Sequence, residues 1–86
     1  MQKPRQIKLA YSDGVLDLDT GVAEFPARVV HLTATEWRLA VEMYQRGTVE
    51  RDRPGVRTTI ARLRNKLGPT AVVNTWGHSY SLGVAE

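Results

Sequence analysis

The sequence lacks cysteine and lacks any apolar run close to the roughly 18 residues of a membrane span. Without cysteine, the chain can form neither disulfide bridges nor thiolate metal sites, which fits a reducing cytoplasm. The positive charges near the N-terminus are not followed by an apolar segment of signal-peptide length. We therefore expect a cytoplasmic protein that does not associate with membranes.

Signatures of catalysis and of cofactor binding are also missing. The sequence has no glycine loop for phosphate and no nucleophile–base pair in a recognisable motif. His31 and His78 are far apart and lack companion ligands. The acidic positions 13, 17 and 19 suit turns and a polar strand face better than a calcium loop, which needs a Gly and a Glu as well. We predict a protein that is not an enzyme and binds no metal or other cofactor.

The composition is that of one small globular domain. Hydrophobic residues make up 42% and charged residues 24% of the 86 residues, close to the globular average. This length leaves room for one core, and neither a repeat nor a linker interrupts it. We assign residues 1–86 to a single domain.

Positive charge is concentrated in one part of the chain, residues 46–66, which we call the basic segment. Seven of the twelve Lys and Arg residues lie there, opposed only by Glu50 and Asp52. Such clustering is typical of nucleic-acid binding, although a solvated helix face has the same composition. The seven are Arg46, Arg51, Arg53, Arg57, Arg62, Arg64 and Lys66.

Short strands are indicated in the first third of the chain, where apolar and polar residues alternate. The expected strands cover residues 7–11, 16–19, 22–25 and 28–32. A first helix should follow, because Thr33 and Glu36 have the spacing of a capping box and Gly47 is a natural stop. Its expected core face consists of Trp37, Ala40, Val41 and Tyr44, widened by Leu39 and Met43.

A second helix is predicted over residues 54–67, with Pro54 at its first position and Gly68-Pro69 after its end. Its core stripe consists of Val56, Ile60, Leu63 and Leu67. On a helical wheel, Thr58, Ala61, Arg62 and Asn65 point away from that stripe, Arg57 and Arg64 lie on one flank, and Thr59 and Lys66 lie on the other. A β-hairpin should complete the chain at residues 71–83, with Tyr80 as its anchor.

This order of elements suggests a winged helix, because the major groove of B-DNA admits one α-helix and a neighbouring hairpin can touch the backbone or the minor groove. Three stretches then resemble one family. Its helix entry L-T-x-x-E-[FW]-x-L is matched by LTATEWRL at 32–39, its recognition-helix end I-x-R-L-R-x-K-L by IARLRNKLG at 60–68, and its wing I-x-T-V-R-G-x-G-Y-x-L by VVNTWGHSYSL at 72–82.

Over nearly its whole length the chain thus resembles the winged-helix DNA-binding output domain of OmpR/PhoB-type response regulators, shortened and without a receiver domain. The resemblance implies an α+β fold with N-terminal antiparallel strands, two main helices and a C-terminal β-hairpin wing. It also implies a role by position. Arg57, Thr58 and Arg62 would read bases, Thr59 and Arg64 would hold phosphates, and Asn74 would make a phosphate contact from the wing.

Asn65, Lys66 and His78 complete the candidate DNA-binding set together with Trp76, which stands where the family has the Arg that enters the minor groove. Trp76 can pack in the wing or contact DNA, and His78 at a hairpin tip is either solvated or on a phosphate. Ser79 replaces a wing Gly. Only residues 47–53 fill the gap that the family uses for a positioning helix and a polymerase-contacting loop, so we expect that helix to be missing or reduced.

We therefore predict a double-stranded DNA-binding protein, a small transcriptional regulator of the kind found in phages or mobile elements. Small winged helices often bind as a homodimer or as adjacent copies on DNA. The alternative is a protein-interaction module of the same fold that binds RNA polymerase, a sigma factor or another regulator. Without a receiver domain, we do not expect control by phosphorylation within this chain.

Overall fold

The computed structural model describes residues 5–75 and 77–85, which form an α+β fold, as predicted. A four-stranded antiparallel sheet comes first, two helices follow, and a three-stranded sheet lies at the C-terminal side. In chain order the elements are β1 (Gln6–Lys8), β2 (Val15–Asp17), β3 (Val22–Phe25), β4 (Arg28–His31), α1 (Ala34–Arg46), β5 (Val49–Glu50), α2 (Val56–Leu67), β6 (Val72–Thr75) and β7 (Ser79–Leu82).

The first sheet has the strand order β1-β2-β3-β4, so each strand pairs with its neighbours in the chain. Ile7 pairs with Leu16, which in turn pairs with Ala23, and all three side chains are buried on one face. This is the outcome that period-2 alternation predicts. The first strand is shorter than expected, because Leu9 forms only an isolated bridge, to Val84, and the chain turns from Ala10. Tyr11, in that turn, is 93% exposed with a positive φ of 56°.

The start and the end of α1 are those predicted. The Glu36 N–H donates to Thr33 Oγ1 at 3.2 Å, and the Thr33 N–H donates to Glu36 Oε1 at 2.9 Å, which completes the capping box. At the other end, Gly47 adopts a φ of 91° and its N–H donates to the Met43 carbonyl. A positive φ of this kind suits glycine, which has no Cβ to clash.

The core face of α1 differs from the predicted one. Its buried residues are Glu36, Leu39, Ala40 and Met43, whereas Tyr44 is 47% exposed and was wrongly predicted to be in the core. Trp37 is half-buried, and its indole Nε1 donates to the Leu18 carbonyl at 2.7 Å. The buried face lies to one side of the predicted face. The prediction missed it because Glu36, which is buried, was counted as a polar surface residue.

Helix α2 begins at Val56, two residues later than predicted. Gly55 is the N-cap, with a φ of 80° and no side-chain cap, and Pro54 precedes it rather than occupying the first helical position. The predicted core stripe is confirmed, since every one of its side chains is at most 3% exposed. The stripe consists of Val56, Ile60, Leu63 and Leu67.

Residues 47–55, all within the described part of the chain, form β5 and turns and contain no helix. Strand β5 pairs with β7, with Val49 opposite Tyr80. The short connection from α1 to α2 is therefore held by the C-terminal sheet, and both of these side chains are buried.

The predicted C-terminal hairpin is formed by β6 and β7, in a sheet of order β5-β7-β6. Tyr80 is 6% exposed and anchors the hairpin, as expected, while Trp76 lies outside the described residues. Buried apolar side chains of both sheets and both helices form one cluster. Neither helix of the described part has the length and apolar character that a bilayer crossing requires.

Candidate nucleic-acid interface

One face of α2 is exposed and carries all three residues that the resemblance assigns to base reading. Arg57, Thr58, Arg62 and Asn65 are all exposed, with Ala61 between them. They are exposed because the narrow apolar stripe on the opposite face holds the helix against the core. Among the described residues, none forms a hydrogen bond or an ion pair with the side chain of Arg57 or Arg62.

Lys66, a predicted DNA contact, is instead directed at α1. Its Nζ donates to Glu36 Oε1 at 2.7 Å and to the His31 carbonyl at 3.3 Å. The Glu36 side chain is only 3% exposed, whereas that of Lys66 is 31% exposed. Lys66 thus neutralises a buried carboxylate, which would be costly without a partner. Its contact with DNA stays a prediction that the intramolecular geometry does not support.

The Glu36 carboxylate is held in its charged form by these neighbours. Burial by itself raises the pKa of Glu36, but the hydrogen bond from Lys66, the capping hydrogen bonds at Thr33 and the positive charge of Lys66 together lower it below its ordinary value. Glu36 therefore takes part in the capping box of α1 and also forms an ion pair with Lys66 of α2, which links the two helices.

Arg64, expected to hold a phosphate, contacts the hairpin. Its Nε and Nη2 donate to the Val72 carbonyl at 3.1 and 3.0 Å, and Nη2 also donates to Asn74 Oδ1 at 3.2 Å. Its guanidinium carbon lies 5.5 Å from the centre of the Tyr80 ring. Arg64 therefore connects α2 to both strands of the hairpin.

Thr59, the other phosphate contact implied by the resemblance, is not on the exposed face. It is 7% exposed, and its hydroxyl donates to the Gly55 carbonyl at 3.0 Å. The hydroxyl thereby satisfies a carbonyl one turn earlier in the helix, as threonine often does. We leave Thr59 out of the interface proposed below.

The hairpin carries two further predicted residues. Asn74 lies near the end of α2, and His78 lies near its start. Asn74 is exposed on β6 and accepts the hydrogen bond from Arg64. His78 is exposed in the turn, and its carbonyl accepts from the Arg51 N–H at 2.7 Å.

Arg51 belongs to the basic segment, and no role of its own was predicted for it. Its Nη1 donates to the Gly77 carbonyl at 3.2 Å, so its charge lies at the hairpin turn. Together with Arg57 and His78 it lines a groove of about 420 Å³ between the start of α2 and the hairpin, whose other lining residues include Glu50 and Asp52. Its place in the basic segment was the only sequence signal for this position.

Other cations of the basic segment are used within the fold. Arg53 donates to both carboxylate oxygens of Glu42, one at 2.8 Å, and Arg46 donates to Glu42 and Glu50. The hydrogen bond from Arg53 is the main reason why the pKa of Glu42 falls to about 2, and the same contact raises the pKa of Arg53. Fewer cations of the basic segment are therefore available to a ligand than the sequence suggests. The exposed ones outside these ion pairs are Arg51, Arg57 and Arg62.

The acidic residues near the N-terminus have structural roles. Asp17 accepts from the Asp19 N–H at 2.8 Å, and Asp19 pairs with Arg5 at 3.3 Å. Within residues 5–75 and 77–85, no group of three or more His, Asp or Glu residues is placed to hold a metal ion.

Comparisons with known proteins add no assignment to this geometry. No protein-family model, no curated protein and no solved structure matches the chain.

Proposed function

We propose that the chain is a winged-helix protein that binds double-stranded DNA, with α2 in the major groove and the β6–β7 hairpin as the wing. The observation that carries this proposal is the exposed face of α2, where Arg57, Thr58, Arg62 and Asn65 project from a helix held by a fully buried stripe. A helix held this rigidly and able to offer arginine to base edges is the usual means of reading the major groove.

The positions of the exposed residues on α2 support a role for each of them. Arg62 is exposed near the middle of α2, and its planar fork suits the O6 and N7 acceptors of guanine. Asn65, one turn further on, has the donor and acceptor that adenine requires. Arg57, near the start of the helix and beside Arg51, suits a base or a neighbouring phosphate.

The hairpin supports the same docking. Arg51 and His78 lie at its turn and Asn74 on its outer strand, so all three would face the sugar–phosphate backbone beside the groove that α2 occupies. Contacts of this type fix the register of a protein on the duplex but carry no base preference. We infer a small transcriptional regulator of the cytoplasm that gains affinity by binding as a homodimer or as adjacent copies.

The test compares Arg62→Ala with Arg38→Ala, which removes an exposed arginine from α1. Both are titrated against a duplex that the wild-type protein has selected from a randomised pool. We expect Arg62→Ala to cost about 1–3 kcal/mol and to relax the preference at one base pair, with Arg38→Ala close to wild type. Equal effects of the two variants would show that α2 is not the reading element.

A second candidate function is the protein-interaction module, and one observation favours it. Trp37, Val41 and Tyr44 form an apolar stripe on α1 that is half-buried to exposed. The first two also line a surface depression, together with Arg5 and Arg38 among others. Exposed aromatic side chains of this kind are common in protein interfaces. If this function holds, purified RNA polymerase will bind the wild-type chain and not Tyr44→Ser, and no duplex will bind at low salt.

A further inference from the structure

Arg64 occupies a position from which it touches the hairpin at three places. The guanidinium donates to the Val72 carbonyl through Nε and Nη2 and to Asn74 Oδ1 through Nη2, at distances of 3.0–3.2 Å. It also lies over the Tyr80 ring, at 5.5 Å from the ring centre. Val72 and Asn74 belong to β6 and Tyr80 to β7, so one side chain of α2 contacts both strands.

Strand β6 lies at an edge of its sheet. In the order β5-β7-β6, β7 is its one strand neighbour among the described residues. An edge strand leaves part of its backbone N–H and C=O groups without a strand partner. Arg64 supplies two donors to one of these carbonyls, at a residue, Val72, that is only 1% exposed. A buried carbonyl without a partner is costly, and a charged donor satisfies it well.

Arg64 is half-buried, in contrast to the exposed Arg62 two residues earlier on the same helix. Its fixed fork is what allows Nε and Nη2 to reach one carbonyl together while Nη2 also reaches an amide oxygen. A lysine at this position would keep the charge but would offer one ammonium in place of the fork. Arg and Lys are therefore not equivalent here.

We propose that Arg64 is a positioning residue that sets the hairpin against α2, rather than a contact to a DNA phosphate. By holding β6 at the side of the helix, it determines where Asn74, His78 and the rest of the hairpin lie relative to the exposed arginines of α2. The part of the inference that concerns DNA rests on the proposed function, whereas the part that concerns the hairpin concerns the free protein alone.

The first experiment uses the free protein. Backbone amide hydrogen exchange is measured by NMR for wild type, Arg64→Lys, Asn74→Ala and the control Arg62→Lys, and the rates in β6 and β7 are divided by those in β2 and β3. We expect Arg64→Lys to raise this ratio roughly tenfold, Asn74→Ala to raise it less, and Arg62→Lys to leave it unchanged. An unchanged ratio in Arg64→Lys would overturn the proposal, whether or not the protein binds DNA.

The second experiment measures affinity for a duplex over a range of salt concentrations for Arg64→Lys and Arg64→Ala. A positioning residue predicts that both variants lose affinity to a similar extent, because neither has the fork. A phosphate contact predicts that Arg64→Lys binds like wild type, while Arg64→Ala reduces the slope of log K against log salt by about 0.9. That second pattern would contradict the proposal. If wild type itself binds no duplex, the proposed function fails and the exchange experiment still decides the role of Arg64.

Discussion

Lys66 and Arg62 show how two cations of one helix take different roles. They are four residues apart on α2, yet Arg62 is exposed and Lys66 donates to a carboxylate that is almost entirely buried. The difference lies in what faces each side chain. Glu36 is fixed in place by the capping box of α1, so an ammonium that reaches it gains a hydrogen bond and an ion pair in a partly water-excluded setting.

Replacing Lys66 by Met should therefore destabilise the fold, because the carboxylate of Glu36 would remain buried without its cation. We expect the free energy of unfolding to fall by about 2 kcal/mol, less than for a fully buried pair since the Lys66 side chain is partly exposed. Urea unfolding checks this, with Arg62→Met as the matched control on the same helix, expected within about 0.5 kcal/mol of wild type. Equal midpoints for all three proteins would show that the pair contributes nothing to stability.

Contacts between residues close in the sequence were predictable, whereas contacts between distant residues were not. The Thr33–Glu36 capping box is a spacing of three residues and was predicted correctly. The contacts of Glu36 with Lys66 and of Arg64 with Val72 join residues 30 and 8 positions apart, and no local rule indicates them. The resemblance assigned Arg64 to a phosphate, and Lys66 was included in the DNA-binding set, because neither a motif nor a charge count can tell a cation that faces solvent from one that satisfies the fold.

At the scale of elements, α2 starts after a glycine with left-handed backbone geometry. Gly55 is its N-cap with a φ of 80°, and a Cβ built there would meet no atom within 4 Å. The cost of a side chain at this position is therefore backbone strain rather than a clash. The start of the helix matters for the proposed function because Arg57 and Thr58 follow within its first turn.

Gly55→Ala should lower the free energy of unfolding by about 1–2 kcal/mol, because the left-handed region is unfavourable for alanine. Gly55→Asn should cost less, since asparagine tolerates that region better. Thermal unfolding compares the stability of the two variants with that of wild type. Each variant is the control for the other, because both replace glycine by a residue with a Cβ. An alanine variant as stable as wild type would mean that α2 can begin at a different residue.

Helices and strands were predictable to different degrees. The alternation of the first third gave β2, β3 and β4 nearly as observed, and the narrow stripe of α2 gave its buried face. The buried face of α1 was predicted wrongly at Tyr44. The helix carries two adjacent apolar stripes, and the inner one, with Leu39 and Met43, also contains the buried Glu36, which was counted as polar. The late start of α2 was missed because proline fits a first helical position and also the turn before it.

For the whole molecule, carboxylates paired with arginine and lysine link the helices and the connection between them. Glu42 on α1 holds Arg53 of the α1–α2 connection, and Glu36 holds Lys66 near the end of α2. In the folded protein the pKa of each carboxylate is below its ordinary value of 4.5, and that of Glu42 is about 2. Groups with a lowered pKa stabilise the fold while they are ionised.

The fold should consequently lose stability in acid. The contribution of both carboxylates is fully present above about pH 4.5 and is lost as the pH falls through their folded-state values, toward about 2 for Glu42. Urea midpoints measured from neutral pH to about pH 3 should decline below about pH 4.5. Glu42→Gln should start from a lower midpoint at neutral pH and decline less. A wild-type midpoint that does not change over this range would contradict the assigned ion pairs.

The central claim, that the face of α2 around Arg57 and Arg62 binds duplex DNA, is tested most directly by fluorescence anisotropy of a labelled random duplex at several salt concentrations. We predict binding that weakens with salt along a log–log slope of about −3 or steeper, which corresponds to at least three or four phosphates contacted. Absence of binding at about 50 mM salt and tens of micromolar protein, where non-specific DNA binders give a signal, would contradict the claim.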